Sequence, residues 1–459
     1  MTDPLSSLAT YWAYIQHQCP TIHSAQLAAW EEATVGLSWE EPTTAIELNN
    51  FAVMALIEAE QQQDAELRSL YLEMALSSLQ QGVALGTHPL CVAHLALAQI
   101  LSGDAQLGAD TAFSGWMQLL QPGFDRRERF ALGLIYAPQG ESRAIAHQVG
   151  FRQLLDACDG YEQALWLLTM VLYQAKRFFY HPAWTRFLSL ASHVLPDFFA
   201  PNLKLGLACW MAGQVEGVYY LNRAQQLLPE AAFVMQSLYL AYRSVEEFAV
   251  ARVWQQRGYA YAQAHPEAVE WAWTTVPLDA PFTYAAFEGM RLAIAPTLRS
   301  AITTVLLGEG DWVEAELAFW RQQLQPDMVA IDVGANVGIY TIAAAQRVGA
   351  NGRVLAVEPT SECVVCLQET CRLNHLDWVT VLAVAASDRP GTVQFSTRDA
   401  SEFNRIVADS EATAGVTQSI PCVPLDTLVE QAHLDRVDWL KIDAEGHELP
   451  VLKGVRSGY

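Results

Sequence analysis

The sequence predicts an all-helical array followed by an α/β unit built on a doubly wound, mostly parallel sheet, and three observations carry that reading. Residues 1–275 hold no convincing alternating strand; apolar and small residues recur at i, i+3, i+4, as in Leu203, Gly206, Leu207, Trp210 and Met211, which is the spacing of amphipathic helices. From Met328 onward, continuous apolar runs of strand length alternate with helical stretches, the pattern of a parallel sheet covered on both faces. The first of those runs ends in an acid and turns through Gly334, Asn336 and Gly338 into a helix.

The helical part is punctuated periodically. Proline stands at Pro89, Pro122, Pro196, Pro229 and Pro266, with spacings of 33, 74, 33 and 37, the 74 being two units of 37. Three approaches are alike: Ala-Ser-His-Val-Leu-Pro196, Ala-Gln-Gln-Leu-Leu-Pro229 and Tyr-Ala-Gln-Ala-His-Pro266. A period near 34, with small residues where helices touch and Pro closing the unit, resembles the tetratricopeptide repeat. Gly206, Gly213, Ala224 and Pro229 form the clearest copy, which departs from the family pattern by about one residue between Gly213 and Ala224. Repeat arrays present extended surfaces, so a protein partner on residues 1–275 is expected; the alternative is a solenoid that merely packs against the rest of the chain.

Length and composition bound the remainder. A chain of 459 residues implies two to four domains, and 52% apolar with 17% charged residues is the balance of a globular protein with a sizeable core. A net charge of −23 argues against nucleic-acid and anionic-membrane binding. The run Arg126-Arg127-Glu128-Arg129 reads as a solvated helix face. Met1-Thr2-Asp3-Pro4 lacks the positive charge of a secretory leader, and the longest apolar run, Ala164–Tyr173, is about half a bilayer span. The expected location is therefore cytoplasmic, and the cysteines are expected as free thiols. Cys363, Cys366, Cys371 and His375 have the look of a zinc box. They fall on one helix, however, where 12 residues span about 18 Å, so no metal site is expected.

Val276–Pro281 is the expected boundary loop, and Phe282–Phe287 and Met290–Ala295 read as a hairpin around Glu288-Gly289. Two helices follow, the second expected to start at Asp311-Trp312-Val313-Glu314 with Asp311 as its cap. Residues 276–325 thus connect the helical region, 1–275, to the α/β domain, 326–459. Within that domain strands are expected at Met328–Val333, Arg353–Glu358, Val379–Ala385 and Val437–Ile442, with helices after the turn and over Cys363–Asn374. Ligands of such sheets bind beyond the carboxyl ends of the strands.

In Asp332-Val333-Gly334-Ala335-Asn336-Val337-Gly338, Gly334 permits the turn and a close backbone approach, and Asn336 is the residue other than Gly that best tolerates left-handed φ/ψ. Twenty residues after Gly338, Glu358 is placed to accept from both hydroxyls of a ribose. The dinucleotide pattern G-x-G-x-x-G is absent, because its second and third glycines would be Asn336 and Ile339.

The D-x-G-x-N-x-G string resembles the first motif of class I methyltransferases. Together with Val357-Glu358-Pro359, Asn374, Ala385-Ala386-Ser387-Asp388, Val423-Pro424-Leu425-Asp426-Thr427-Leu428 and Lys441-Ile442-Asp443-Ala444-Glu445-Gly446-His447-Glu448, it is similar in order and spacing to FkbM-type methyltransferases over about residues 282–459. The resemblance implies a Rossmann-like sheet and S-adenosyl-L-methionine as cofactor, held by Asp332, Gly334, Asn336, Gly338, Glu358 and Ala386. It implies O-methylation of a hydroxyl on a glycan or secondary metabolite, with Asp443 orienting donor or acceptor, Glu445 as base and Lys441 keeping either carboxylate ionised. Glu445 could instead cap the following helix, and His447 is expected at the surface. Ala383 departs from the family, which often carries Asn there. A full class I sheet has seven strands and about four are expected here, so the domain is expected to be incomplete at its C-terminus. A non-catalytic repeat scaffold carrying a truncated cofactor-binding domain is the alternative reading.

Overall fold

The computed structural model describes residues 8–20, 22, 28, 30, 32, 41–86, 88–121, 130–138, 144–157, 159–175, 182–312, 314–396, 406–407 and 417–455. The Arg126–Arg129 run, Pro122 and residues 456–459 lie outside them. The chain divides into two compact units, Met1–Pro201 and Asn202–Tyr459.

The first unit is helical: α1 (Leu8–Gln18), α2 (Ala45–Gln61), α3 (Ala65–Leu85), α4 (Leu90–Leu101), α5 (Ala105–Leu119), α6 (Ala144–Leu155), α7 (Gly160–Ala175) and α8 (Pro182–Val194). The start of α2 is fixed by a reciprocal cap, in which Thr44 Oγ1 accepts from Glu47 N and the Glu47 carboxylate accepts from Thr44 N. Its core gathers Tyr11, Ile15, Met54, Ile57, Trp116 and Phe151. Pro89 sits at the N-cap of α4 and so opens a helix, whereas Pro196 follows the end of α8.

Helix α9 (Phe199–Met211) spans the boundary, and α10 (Gly217–Leu227), α11 (Ala232–Ser244) and α12 (Phe248–Ala264) complete the helical pairs. Pro229 and Pro266 each stand two residues beyond a helix end, where the missing N–H cannot continue the ladder. The small residues of the clearest repeat copy do pack closely: a Cβ on Gly206 would meet Leu221 at 2.8 Å, and Ala224 is fully buried. The expected boundary at 275 falls within the second unit. There Gln236 donates to Tyr284 O (2.8 Å), Arg243 to Ala280 O (2.9 Å) and Gln255 to Val276 O (2.7 Å), tying α11 to the hairpin and both α11 and α12 to the loop before it.

That hairpin is β1 (Thr283–Phe287) and β2 (Met290–Ile294), and Glu288 and Gly289 both take positive φ (52° and 71°), as a two-residue turn between twisted strands demands. Helices α13 (Ala301–Glu309) and α14 (Ala315–Gln323) come next. Asp311 does not cap α14, whose N-cap is Glu314 without a side-chain bond. Instead Asp311 makes a bidentate pair with Arg321 (2.6 and 2.8 Å), and Arg321 also reaches Glu288 at 2.6 Å, so the two acids anchor hairpin and helix through one guanidinium.

The α/β part then runs β3 (Val329–Val333), α15 (Ile339–Val348), β4 (Arg353–Val357), α16 (Ser361–Leu373), β5 (Val379–Leu382), β6 (Ala385–Ser387), β7 (Gly391–Ser396), β8 (Ile406–Val407), β9 (Thr417–Pro424), α17 (Leu425–Gln431), β10 (Trp439–Ile442) and α18 (Glu448–Lys453). Strands β10, β3, β4 and β5 form a parallel sheet in that order. The single strand expected over 379–385 is broken: β5 ends at Leu382, and β6 joins a second, mixed sheet ordered β6, β9, β7, β8. Cys363, Cys366 and Cys371 all lie on α16. No described helix is long and apolar enough to cross a membrane.

Candidate active site

Strand β3 has β4 on one side, reached through α15, and β10 on the other, reached only after both remaining strands of its sheet have been laid down. Strand order therefore reverses at the β3–β10 seam, and the crevice beyond the carboxyl ends at such a point is where doubly wound sheets bind ligands. The expected residues converge there.

Asp332 lies one residue before the end of β3, fully buried. Its Oδ2 accepts from Thr341 Oγ1 at 2.7 Å, and its Oδ1 faces Lys441 Nζ at 3.2 Å. Lys441, paired with Asp332 in the strand register, also donates to Gly334 O at 3.0 Å and stands 4.8 Å from the Tyr340 ring centroid. Its distance to Asp443 Oδ2 is 3.7 Å. The ammonium is thus held chiefly by Asp332 and the turn. Asp332 Oδ2 is hydrogen-bonded, whereas the buried Oδ1 has the Lys441 ammonium as an ion-pair neighbour and no hydrogen bond, and the carboxylate is not presented to solvent.

The turn explains its own residues. Gly334, Asn336 and Gly338 all have positive φ (73°, 48° and 106°). A Cβ on Gly334 would stand 1.8 Å from Asp443 O, so the close approach that requires glycine is made by the chain leaving β10. A Cβ on Gly338 would meet Leu367 of α16 at 2.6 Å. Asn336 Oδ1 accepts from Val337 N at 2.8 Å, the local bond that makes Asn tolerant of this conformation.

Glu358, just past β4, is 5% exposed. Its two oxygens accept from Asn336 N and Thr360 N, each at 2.8 Å. Burial pushes the carboxyl pKa up, while the bonds from Thr360 and Asn336 pull it down. The Thr360 side chain bonds to the carboxylate as well, so three of its roughly four lone-pair sites are taken and one is left for a ribose hydroxyl. Ala386 is buried on β6 among Leu355, Val357 and Leu425, in the second sheet.

Beyond β10, Asp443 is 59% exposed and its N–H donates to Val333 O at 3.0 Å. Glu445 is exposed with φ of 48°, and partial desolvation, then Asp443 and Glu448, raise its pKa against the pull of Lys441. Glu448 holds the turn, since its Oε1 accepts from Ala444 N (3.1 Å) and Gly446 N (3.0 Å). The turn ahead of α18 is thus held by Glu448, and the helix N-cap, His447, makes no side-chain cap bond. His447 is half-buried, with Nε2 3.0 Å from Ser387 Oγ, and burial lowers its pKa. Sequence reasoning missed Thr341, Tyr340, Ser387 and Glu448 as partners; only Glu448, three residues before a helical Val451, carried a local signal.

A family model described as the methyltransferase FkbM domain matches residues 332–458. The chain is also similar to "Methyltransferase sdnD" of Sordaria araneosa, 28% identical over 154 residues, which are 27% of this chain and 59% of that protein. It therefore spans less than two thirds of that relative's length. No solved structure matches. Both likenesses support a methyltransferase.

Proposed function

We propose that residues 326–459 form a class I methyltransferase domain that uses S-adenosyl-L-methionine to methylate a hydroxyl of a glycan or secondary metabolite. Residues 276–325 connect it to tetratricopeptide-like repeats over 1–275, on which a protein partner docks. The observation that carries the reading is the β3–β10 seam, where the 334–338 turn, Glu358 and Asp443 meet beyond the strand ends.

The residues present suit the cofactor. Glu358 is a buried carboxylate with a lone-pair site left for a ribose hydroxyl, and the positive-φ turn that it holds through Asn336 N lies beside it at the strand ends. Ala386 contributes apolar wall. When bound, the sulfonium supplies an electrophilic methyl group. Asp332 and Lys441 keep the turn rigid, so their contribution is positioning through the backbone of Gly334. Asp443, half in solvent at the mouth, orients the acceptor. Glu445, with its raised pKa, would take the proton that the acceptor hydroxyl loses when it receives the methyl group.

Calorimetry of the full chain with S-adenosylhomocysteine tests the assignment. Glu358→Ala should remove a charge-assisted contact of about 1.5–3 kcal/mol, weakening binding by about 10- to 150-fold. Unchanged affinity, or no binding by the wild type, would sink the cofactor assignment. Gly338→Val is a poor probe, because its side chain strikes Leu367 with no ligand present.

A further inference from the structure

Residues 130–138, Phe-Ala-Leu-Gly-Leu-Ile-Tyr-Ala-Pro, are assigned neither helix nor strand, yet positions 133–137 are buried in the first unit. A buried main chain must find partners for its N–H and C=O groups, and the surrounding helices have already used their own. Side chains supply them instead. Gln163 accepts from Gly133 N (3.1 Å) and donates to Gly133 O (3.4 Å). The Tyr11 hydroxyl accepts from Ile135 N (2.9 Å) and donates to Ile135 O (3.4 Å); Tyr14 does the same to Ala137 (3.0 and 2.8 Å).

The intervening residues are served by other side chains. Leu134 N donates to Asn50 Oδ1 at 2.9 Å, Leu134 O accepts from Asn49 Nδ2 at 3.1 Å, and Tyr136 N donates to His94 Nε2 at 3.1 Å. In extended chain, N–H and C=O groups of successive residues point to opposite edges. Gln163, Tyr11 and Tyr14 therefore take one edge, and Asn49, Asn50 and His94 the other. Ahead of them, His88 Nε2 binds Ala131 O (2.8 Å) and Gly160 N donates to Phe130 O (3.0 Å). A Cβ on Gly160 would stand 2.4 Å from Ala131 O, so the cleft wall is thinned where the segment enters.

These bonds read the main chain, while Leu134, Ile135, Tyr136 and Ala137 pack their side chains into the helical core. The tightest backbone fit is at Gly133, where a Cβ would lie 2.6 Å from the Cδ1 of Ile46, 2.8 Å from that of Leu90 and 3.1 Å from Asn49 Nδ2. We propose that the first unit is a clamp for an extended peptide, that residues 130–138 are its built-in occupant, and that the cleft takes a free peptide with glycine at the fourth position once that occupant is disabled.

The test is fluorescence anisotropy with a fluorescein-labelled peptide of sequence 130–138 and the full chain. Gly133→Val should free the cleft and bind the peptide about tenfold or more tightly than the wild type; a peptide with Val for its Gly should lose about as much, the cost of overpacking the site. A Gly133→Val chain that keeps its helical circular dichroism and binds no peptide overturns the proposal. If that variant does not fold, hydrogen exchange in Tyr11→Phe and Tyr14→Phe decides. Exchange at Ile135 and at Ala137, respectively, should rise about tenfold with Leu134 and Tyr136 little changed. Unchanged exchange at both sites overturns it.

Discussion

Lys441→Met should destabilise the second unit by about 2–4 kcal/mol, because it leaves Asp332 as an uncompensated charge in the core. Asp332 is fully buried and Lys441 is the cation that faces it, at 3.2 Å, with only 15% of the lysine side chain exposed. Removing one member of a buried pair costs about 3–5 kcal/mol. The Thr341 hydroxyl stays in place and the slight exposure of Lys441 admits water, which trims that figure. A unit of this size loses roughly 2–4 °C of melting temperature per kcal/mol, so scanning calorimetry should show one transition lowered by roughly 4–16 °C. Asp332→Asn with Lys441→Met removes both charges and should restore most of the loss, since a neutral pair in the same space carries no stranded charge. A single-variant shift under about 2 °C, or additive penalties in the double variant, would refute the buried-pair argument.

Three further outcomes follow from the same geometry. Gly334→Ala should be among the costliest single substitutions, about 3 kcal/mol or more, since it combines a φ of 73° with a Cβ 1.8 Å from Asp443 O; denaturant titration showing under about 1 kcal/mol would contradict the packing. Glu445→Gln should cut methyl transfer by about 10²–10⁴-fold near neutral pH, recovering in part as alkali ionises the acceptor, and a loss under about threefold in a radiolabel assay would remove the base. His94 is fully buried and burial holds its pKa down to about 3, below the ordinary 6.5. The unfolded chain therefore binds the extra proton first, so His94's contribution is present above about pH 6.5 and lost as pH falls toward 3, by about 4–5 kcal/mol in all. Melts of wild type and His94→Gln should differ in acid slope, and parallel profiles would count against it.

Much of the α/β part was legible because local and tertiary demands coincide there. Gly334, Asn336 and Gly338 are residues that tolerate positive φ, and all three adopt it. The hairpin was readable for the same reason at Glu288 and Gly289. What failed depended on distant partners. Asp311 looks like a cap in sequence, but Arg321, ten residues on, outcompetes the helix N–H groups with a bidentate pair. The break between β5 and β6 carries neither Gly nor Pro, because its cause is the pairing of Ala385–Ser387 with β9, some forty residues later. The reciprocal cap at Thr44 and Glu47, by contrast, is local and is written in the sequence as Thr-x-x-Glu.

The 130–138 segment marks the deeper limit. An apolar run of this length is equally consistent with a buried helix turn and a buried strand, and periodicity alone cannot separate them. Its partners stand as far as 124 residues away on helices whose own pattern is ordinary. The available signal lay in those helices. Asn49 and Asn50 are adjacent, fully buried and set among Leu48, Ala52 and Val53, where an amide without a partner would cost about 1–3 kcal/mol. Buried His94, on another helix, poses the same problem. Its Nε2 accepts from Tyr136 N, so Nδ1 carries the proton and points it at Asn49 Oδ1, 2.7 Å away. That leaves Asn49 Nδ2 free to donate to Leu134 O. Polar residues at core positions of two helices thus imply a third element between them with main chain to satisfy, and that element is the extended segment.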